Sequence, residues 1–280
     1  MVARRANPQQ VELHKLPSGI SLDKMTSPSE TIHVRTEGRT VWITLDRPPL
    51  NILDIAMMRA LDRAIDQAVP NCDFLVFQGA GQKGFSAGAE VADHVPERVS
   101  EMLQAFHAVF RRLVRADCIT IAAVHGHCLG GGMELATFCD FLVATESAKF
   151  GQPEIKLGCF PPIAMVTFPP LVGLRAALDV ILSGRIISAQ DAQKVGFVSR
   201  LASDSSLNEG TTALLDELRG LSPAVLQLAK RTIWKLHVDD FERQLSEVER
   251  IYLSQLMQTH DAREGIRAFL EKRVPAWEGR

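Results

Sequence analysis

The chain has 280 residues, enough to bury one large core or two modest ones, and carries 31 basic against 33 acidic side chains. That near-neutral balance, without a basic stripe, excludes nucleic acid as a partner, and no apolar run approaches the roughly 20 residues that span a bilayer. Five widely spaced cysteines, mostly in apolar runs, read as reduced core residues of a cytoplasmic protein, and Arg4 and Arg5 lack the apolar stretch of a secretory signal.

Residues 1–30, rich in Pro, Ser, Gln and Lys and without periodicity, read as a flexible arm. The fold starts near Thr31. Ile32 to Arg35 and Val41 to Leu45 alternate as two strands joined through Gly38, and Pro48-Pro49 then breaks the ladder. After Asp54, the apolar residues Ile55, Met58, Leu61 and Ile65 recur at helical spacing. Phe74 to Gln78 is a short buried strand that runs into a glycine-rich loop, Gly79 to Glu90.

Two familiar patterns sit in that loop. Gly79, Gly81 and Gly84 satisfy GxGxxG, but a dinucleotide fold needs a helix to open there, and a second glycine loop follows instead. Gly84, Ser86 and Gly88 satisfy GxSxG, yet several loop residues separate the strand from Ser86, whereas a nucleophile elbow follows its strand directly.

Met102, Phe106, Val109, Phe110 and Leu113 mark an amphipathic helix with His107 on one of its faces. The apolar strand from Ile121 to Val124 leads into Gly130-Gly131-Gly132, with Glu134 one helical turn later. Three glycines remove every Cβ where a buried strand turns into a helix, so backbone amides there can approach an anionic ligand closely. A side chain at Gly131 is expected to occupy the place of the ligand oxygen. His125 and His127 are close together, but no cluster of carboxylates or thiols completes a metal site, and no metal is expected.

Asp140 to Thr145 is another buried strand, followed by Lys149 to Glu154, so strand, turn and helix units repeat. Pro161-Pro162 and Pro169-Pro170 bracket a short apolar helix. Leu174 to Ser183, a helix opened by Ser188, another from Pro223, and the segments Asp239 to Thr259 and Asp261 to Lys272 are all helical. The expected organisation is an arm over 1–30, a core over 31–200 and a helical region over 201–280.

Glu134 and Glu154 each follow a buried strand. Two carboxylates sharing one dry site push one pKa upward, which separates an acid from a base. Either glutamate could equally be accepting backbone amides at a helix start.

Phe85 to Glu90, His125 to Ala136, Cys139-Asp140, Phe150 to Ile155, Ser183 to Ala192 and Gly196-Phe197-Val198 together resemble the crotonase, or enoyl-CoA hydratase/isomerase, superfamily over roughly residues 31–275. The resemblance implies an α/β fold: a crotonase-like spiral of β-β-α units with a C-terminal helical region. It also implies a homotrimer or dimer of trimers that binds acyl-CoA. Carried over residue by residue, it makes the backbone amides of Ala89 and Gly131 an oxyanion hole and matches Glu134 and Glu154 to the water-handling pair of the hydratases. It places Pro49, Leu50, Ala87, Glu90, Val91, Gly130 and Pro161 against substrate. Phe269 and Lys272 would lie near the coenzyme A of the same or an adjacent subunit. Coenzyme A enters only as part of the substrate, and no cofactor is implied.

Glu90 stands where the family usually has aspartate. Gly158 to Ala164, with Pro161-Pro162, together with Asp46 to Met58 and Ser86 to His94, is similar to the subgroup of cyclohexa-1,5-diene-1-carbonyl-CoA hydratases. The leading expectation is therefore an acyl-CoA hydratase that adds water to an unsaturated CoA thioester, and the subgroup likeness extends that expectation to a cyclic dienoyl one. The rivals are an ordinary enoyl-CoA hydratase/isomerase, a serine hydrolase using Ser86, and an acyl-CoA-binding homologue without turnover.

Overall fold

Ile32–Glu37 (β1), exposed along nearly all of its length, and Thr40–Leu45 (β2), nearly all buried, pair antiparallel around Gly38, whose left-handed φ of 59° closes the hairpin, so the expected alternation is not an alternation of burial. The computed structural model describes residues 31–280, so the expected arm at residues 1–30 lies outside the described residues. Helix α1 (Ile55–Ala68) is capped by Asp54, which accepts a hydrogen bond from the Met57 amide at 2.8 Å, and it buries the apolar stripe read from its spacing.

A repeating path follows. Strand β3 (Phe74–Gly79) passes to a short strand β4 (Gly84–Ser86) and then to α2 (Val99–Leu113). Strand β5 (Ile119–Val124) passes to β6 (His127–Leu129) and α3 (Gly131–Phe138). Strand β7 (Phe141–Thr145) passes to β8 (Lys149–Gly151), a 3-10 turn over Pro153–Leu157, and α4 (Pro162–Val172).

After α5 (Leu174–Ser183) come β9 (Ile186–Ser188), α6 (Ala189–Val195) and β10 (Arg200–Ala202). The long strands form one sheet in the order β1-β2-β3-β5-β7-β10, and the short ones a second in the order β4-β6-β8-β9. Each coil thus adds one strand to each sheet, which is the spiral of β-β-α units that the motifs imply. All six residues of β5 are buried, as expected of a parallel strand covered on both faces.

Four helices complete the described chain: α7 (Leu207–Arg219), α8 (Pro223–Lys235), α9 (Val238–Ser254) and α10 (His260–Leu270). Leu214, Leu215 and Leu218 of α7 cover Trp42, Phe74, Val76 and Ile121 on one face of the large sheet, while α1 and α2 contribute to the main core. From α8, the buried Lys230 donates to the Cys118 carbonyl at 2.7 Å and to Asp140 at 2.6 Å.

Several local expectations are corrected. Pro169 and Pro170 do not close α4 but lie inside its last turns, where the buried Val166 and Phe168 hold the helix until Gly173 ends it. Helix α9 stops at Ser254, and a 3-10 turn over Leu256–Gln258 separates it from α10. The three-residue strands β4, β6, β8 and β9 are too short to show a period of their own. Among the described residues, no helix is long and apolar enough to cross a membrane.

Candidate active site

The three consecutive glycines each face a different neighbour. A Cβ on Gly130, where φ is 52°, would stand 2.5 Å from Oε1 of Glu154, and one on Gly132 would stand 2.5 Å from the Ser86 carbonyl. One on Gly131 would meet Cζ of Phe106 at 2.9 Å, so the expected clash with a ligand oxygen is instead a clash with the α2 wall. The same hypothetical Cβ would lie 3.4 Å from the Ala89 amide nitrogen, which places the Ala89 and Gly131 amides side by side. Gly88, with φ of 97°, turns the chain so that this approach is possible. Neither amide has a hydrogen-bond acceptor among the described residues. Two adjacent unsatisfied donors can hold an oxygen that gains negative charge.

Glu134, on the first turn of α3, is buried and points at the start of α4. Its Oε1 accepts from the Ala164 amide at 2.8 Å, and the Ile163 amide donates to the carboxylate too. Pro162 at the head of α4 has no N–H, so the first free donors of that helix are the two that Glu134 takes. The expectation that a glutamate here accepts amides at a helix start is therefore met, but the helix is α4 and not α3. Burial outweighs those donors and raises the Glu134 pKa to about 7.

Glu154 sits on the 3-10 turn after β8 and is partly buried. With its amide nitrogen toward the carboxyl group, the fully buried Gln152 donates to Oε2 at 3.0 Å and to Oε1 at 3.2 Å. Burial first, and then the negative charge of Glu134, push the Glu154 pKa well above the ordinary carboxylate range. Near neutral pH one carboxyl group can take a proton while the other holds one.

Ala89, Gly131, Glu134, Glu154, Pro161 and Pro162 line one small cavity. Met102, Leu103, Phe106 and His107 of α2 form its apolar wall, with His94, Phe160 and Tyr252 completing it. The other expected substrate residues, Pro49, Leu50, Ala87, Glu90, Val91 and Gly130, are not among those that line this cavity. Leu50 accepts from the Ala87 amide at 2.9 Å, Pro49 follows Pro48 through a cis peptide bond, and Val91 packs on the core. Glu90, longer than the usual aspartate, reaches Arg47 at 3.2 Å. Phe269 and Lys272 do not line the cavity; both are exposed, the first on α10 and the second just beyond it.

The hydrolase reading of Ser86 fails on geometry. Its side chain is fully buried, donates to the Asn51 carbonyl at 2.7 Å and accepts from the Gly88 amide at 3.1 Å. That hydroxyl braces the loop and is not presented to a substrate. Gln152, Tyr252 and the inward position of His107 were not visible in the sequence. Only the placement of Gln152 beside Pro153-Glu154 offers a retrospective signal.

Residues 35–280 match the enoyl-CoA hydratase/isomerase family. Cyclohexa-1,5-dienecarbonyl-CoA hydratase of Thauera aromatica is 36% identical over 252 residues, 89% of this chain and 96% of that protein. A probable enoyl-CoA hydratase of Rhizobium meliloti (strain 1021) is 36% identical over 262 residues, 90% of this chain and 99% of that protein. The crystal structure of carnitinyl-CoA hydratase from Mycobacterium avium superposes with a TM-score of 0.76 at 31% identity, covering 89% of this chain and 99% of that one. The chain belongs to the enoyl-CoA hydratase/isomerase family.

Proposed function

We propose that the protein adds water to the double bond of an unsaturated acyl-CoA thioester, or removes it in the reverse direction. The observation that carries this reading is the pair of carboxyl groups, Glu134 and Glu154, both with raised pKa, in one cavity with the free amides of Ala89 and Gly131. The thioester oxygen lies between the two amides. Glu134 takes a proton from water as the water oxygen bonds to the β carbon, and the displaced electron pair moves onto the thioester oxygen as an enolate. The enolate then collapses and takes the proton of Glu154 at carbon. Removing one oxyanion donor typically costs about 3 to 4 kcal/mol of transition-state stabilisation. Coenzyme A takes part only as a portion of the substrate.

The substrate we propose is a cyclic dienoyl thioester. In its favour are the likeness to the Thauera aromatica protein and the rigid Pro161-Pro162 segment in the cavity wall. With a conjugated diene, charge spreads through a dienolate and Glu154 can deliver its proton at the far end. We further propose a homotrimer or dimer of trimers, in which Phe269 and Lys272 lie near the coenzyme A of the same or a neighbouring subunit.

The test is hydration of cyclohexa-1,5-diene-1-carbonyl-CoA and of crotonyl-CoA, with the cyclic product analysed by NMR after reaction in deuterium oxide. Deuterium at the distal carbon is expected. Deuterium at the α carbon, or brisk hydration of crotonyl-CoA alone, would return the protein to ordinary enoyl-CoA chemistry. Glu154→Gln should abolish turnover while Ser86→Ala retains it.

A further inference from the structure

Helix α10 does not line the cavity, yet it packs on two turns that border it: Val91–His94, which follows Ala89, and Pro153–Leu157, which carries Glu154. No side chain cushions the second contact. A Cβ on Gly265 of α10 would stand 2.2 Å from the Leu157 carbonyl oxygen, and one on Gly158, where φ is 71°, would stand 2.7 Å from the Asp261 carbonyl oxygen. The backbone of α10 therefore lies directly against the backbone that ends the Glu154 turn. Contacts packed this closely transmit a displacement instead of absorbing it.

The chain beyond α10 folds back and clasps the helix. Lys272 takes a left-handed φ of 55°, and the Arg273 amide donates to the Ala268 carbonyl at 2.9 Å, a helix ending that usually employs glycine. This turn brings Arg273 back to Glu264, a buried carboxylate of α10. Nη1 and Nη2 of Arg273 donate to its two oxygens at 2.5 and 2.9 Å, a two-pronged arrangement that fixes both groups. The Ala276 amide donates to Oε1 at 2.9 Å, and Arg267 to Oε2 at 2.6 Å.

The same segment is tied down further along. Asp261 accepts the Glu278 and Gly279 amides, each at 2.8 Å. The space that a side chain on Gly265 would need is shared by the Leu157 carbonyl and the Trp277 ring, whose Cη2 lies 2.8 Å from that position. Burying a carboxylate is costly unless it is paired, and all but one of the groups that pair Glu264 come from the returning segment. The docked helix and the returned segment are therefore one unit.

We propose that Glu264 is a positioning residue for Glu154: by gathering Arg273 and the Ala276 amide it clasps the returning segment onto α10 and holds the helix against the turn that carries Glu154. This rests on the hydratase reading, which gives Glu154 its task. Burial is the first cause of the raised Glu154 pKa, so a loosened turn that admits water lowers it toward the ordinary carboxylate range.

The experiment reads the falling, high-pH limb of the kcat/KM profile in Glu264→Gln and Arg273→Gln. In both, that limb should move to lower pH by about one unit or more. At the same time kcat should drop about tenfold or more with the circular dichroism spectrum retained. Arg273→Lys, which keeps a charged donor without the fork, should recover part of both effects. Lys230→Met, which weakens the fold away from this turn, should leave the limb in place. A limb unmoved in both Glu264→Gln and Arg273→Gln overturns the proposal, as does an equal shift in Lys230→Met. If Glu264→Gln does not fold, the partly exposed Arg273 decides alone. If the wild type hydrates neither crotonyl-CoA nor cyclohexa-1,5-diene-1-carbonyl-CoA, the hydratase reading fails. A carboxyl 13C titration of Glu154, assigned by its loss in Glu154→Gln, then tests the clasp without turnover, and an unshifted Glu154 in Arg273→Gln overturns it.

Discussion

Oε1 of Glu154 occupies the space that a Cβ on Gly130 would need, at a separation of 2.5 Å. Gly130 also has a left-handed φ of 52°, so Gly130→Ala strains the backbone and displaces the carboxyl group together. Misplacing a reacting group by about 1 Å can cost roughly a hundredfold in rate. The expected result is a fall in kcat of that order with the circular dichroism spectrum retained. An unchanged kcat would mean that Glu154 does not act from this position.

In the proposed reaction Glu134 sets a pH dependence of activity. It must be ionised to take a proton from water, and its pKa is raised to about 7, so kcat/KM should rise as pH passes through about 7. At higher pH the rate should fall as Glu154, whose pKa lies well above the ordinary carboxylate range, gives up the proton it delivers. In Glu134→Gln the rising limb should disappear along with most of the activity, about a hundredfold or more.

The same group sets a pH dependence of stability with the opposite benefit. Between the ordinary value of 4.5 and about 7, folded Glu134 keeps a proton that the unfolded chain has released. Its contribution to stability is fully present below 4.5 and is lost as pH rises through about 7, a total of ~3 kcal/mol for a shift of that size. Urea denaturation across that range should show the decline, and Glu134→Gln should flatten it. A variant less stable than wild type at pH 8 would contradict the assignment.

Ser86→Ala should leave turnover measurable and the protein weaker. It strips the Asn51 carbonyl of a buried donor, which costs about 1 to 3 kcal/mol. Thermal unfolding and the hydratase assay separate the two effects, and loss of activity without loss of stability would revive a catalytic serine.

Lys230→Met tests the brace between α8 and the large sheet. Asp140 would lose its cation but keep its bonds from the Thr120 amide at 2.7 Å and hydroxyl at 2.8 Å. Breaking a buried ion pair from one side costs about 3 to 5 kcal/mol, and the surviving bonds place this case at the low end. Denaturant titration with an unchanged midpoint would show that the pair adds nothing.

The spiral was legible because its signals are local. Apolar runs mark β3, β5 and β7, a glycine loop follows each of the first two, and Ser188 caps α6 by accepting from the Asp191 amide at 3.1 Å as its spacing foretells. Glu134 and Glu154 were legible as a pair for the same reason: each follows its own strand. What makes their surroundings special was not local. His107 meets a partner 142 residues away, and the amides that hold Glu134 belong to a helix starting at Pro162. Proline likewise misled at 169 and 170, where the packing of Val166 and Phe168 overrides a local preference.

Ala89 follows β4, Gly131 and Glu134 follow β6, and Glu154 follows β8, three strands that are immediate neighbours in the smaller sheet. Parallel strands stand about 4.8 Å apart whatever side chains they carry. The backbone ladder therefore acts as a ruler, setting the interval between the proposed oxygen-binding amides, base and acid independently of the walls. Changes along α2 or at Pro161 and Pro162 can reshape the room for an acyl group without altering those intervals, and one coil can exchange its functional group while the others stay in register.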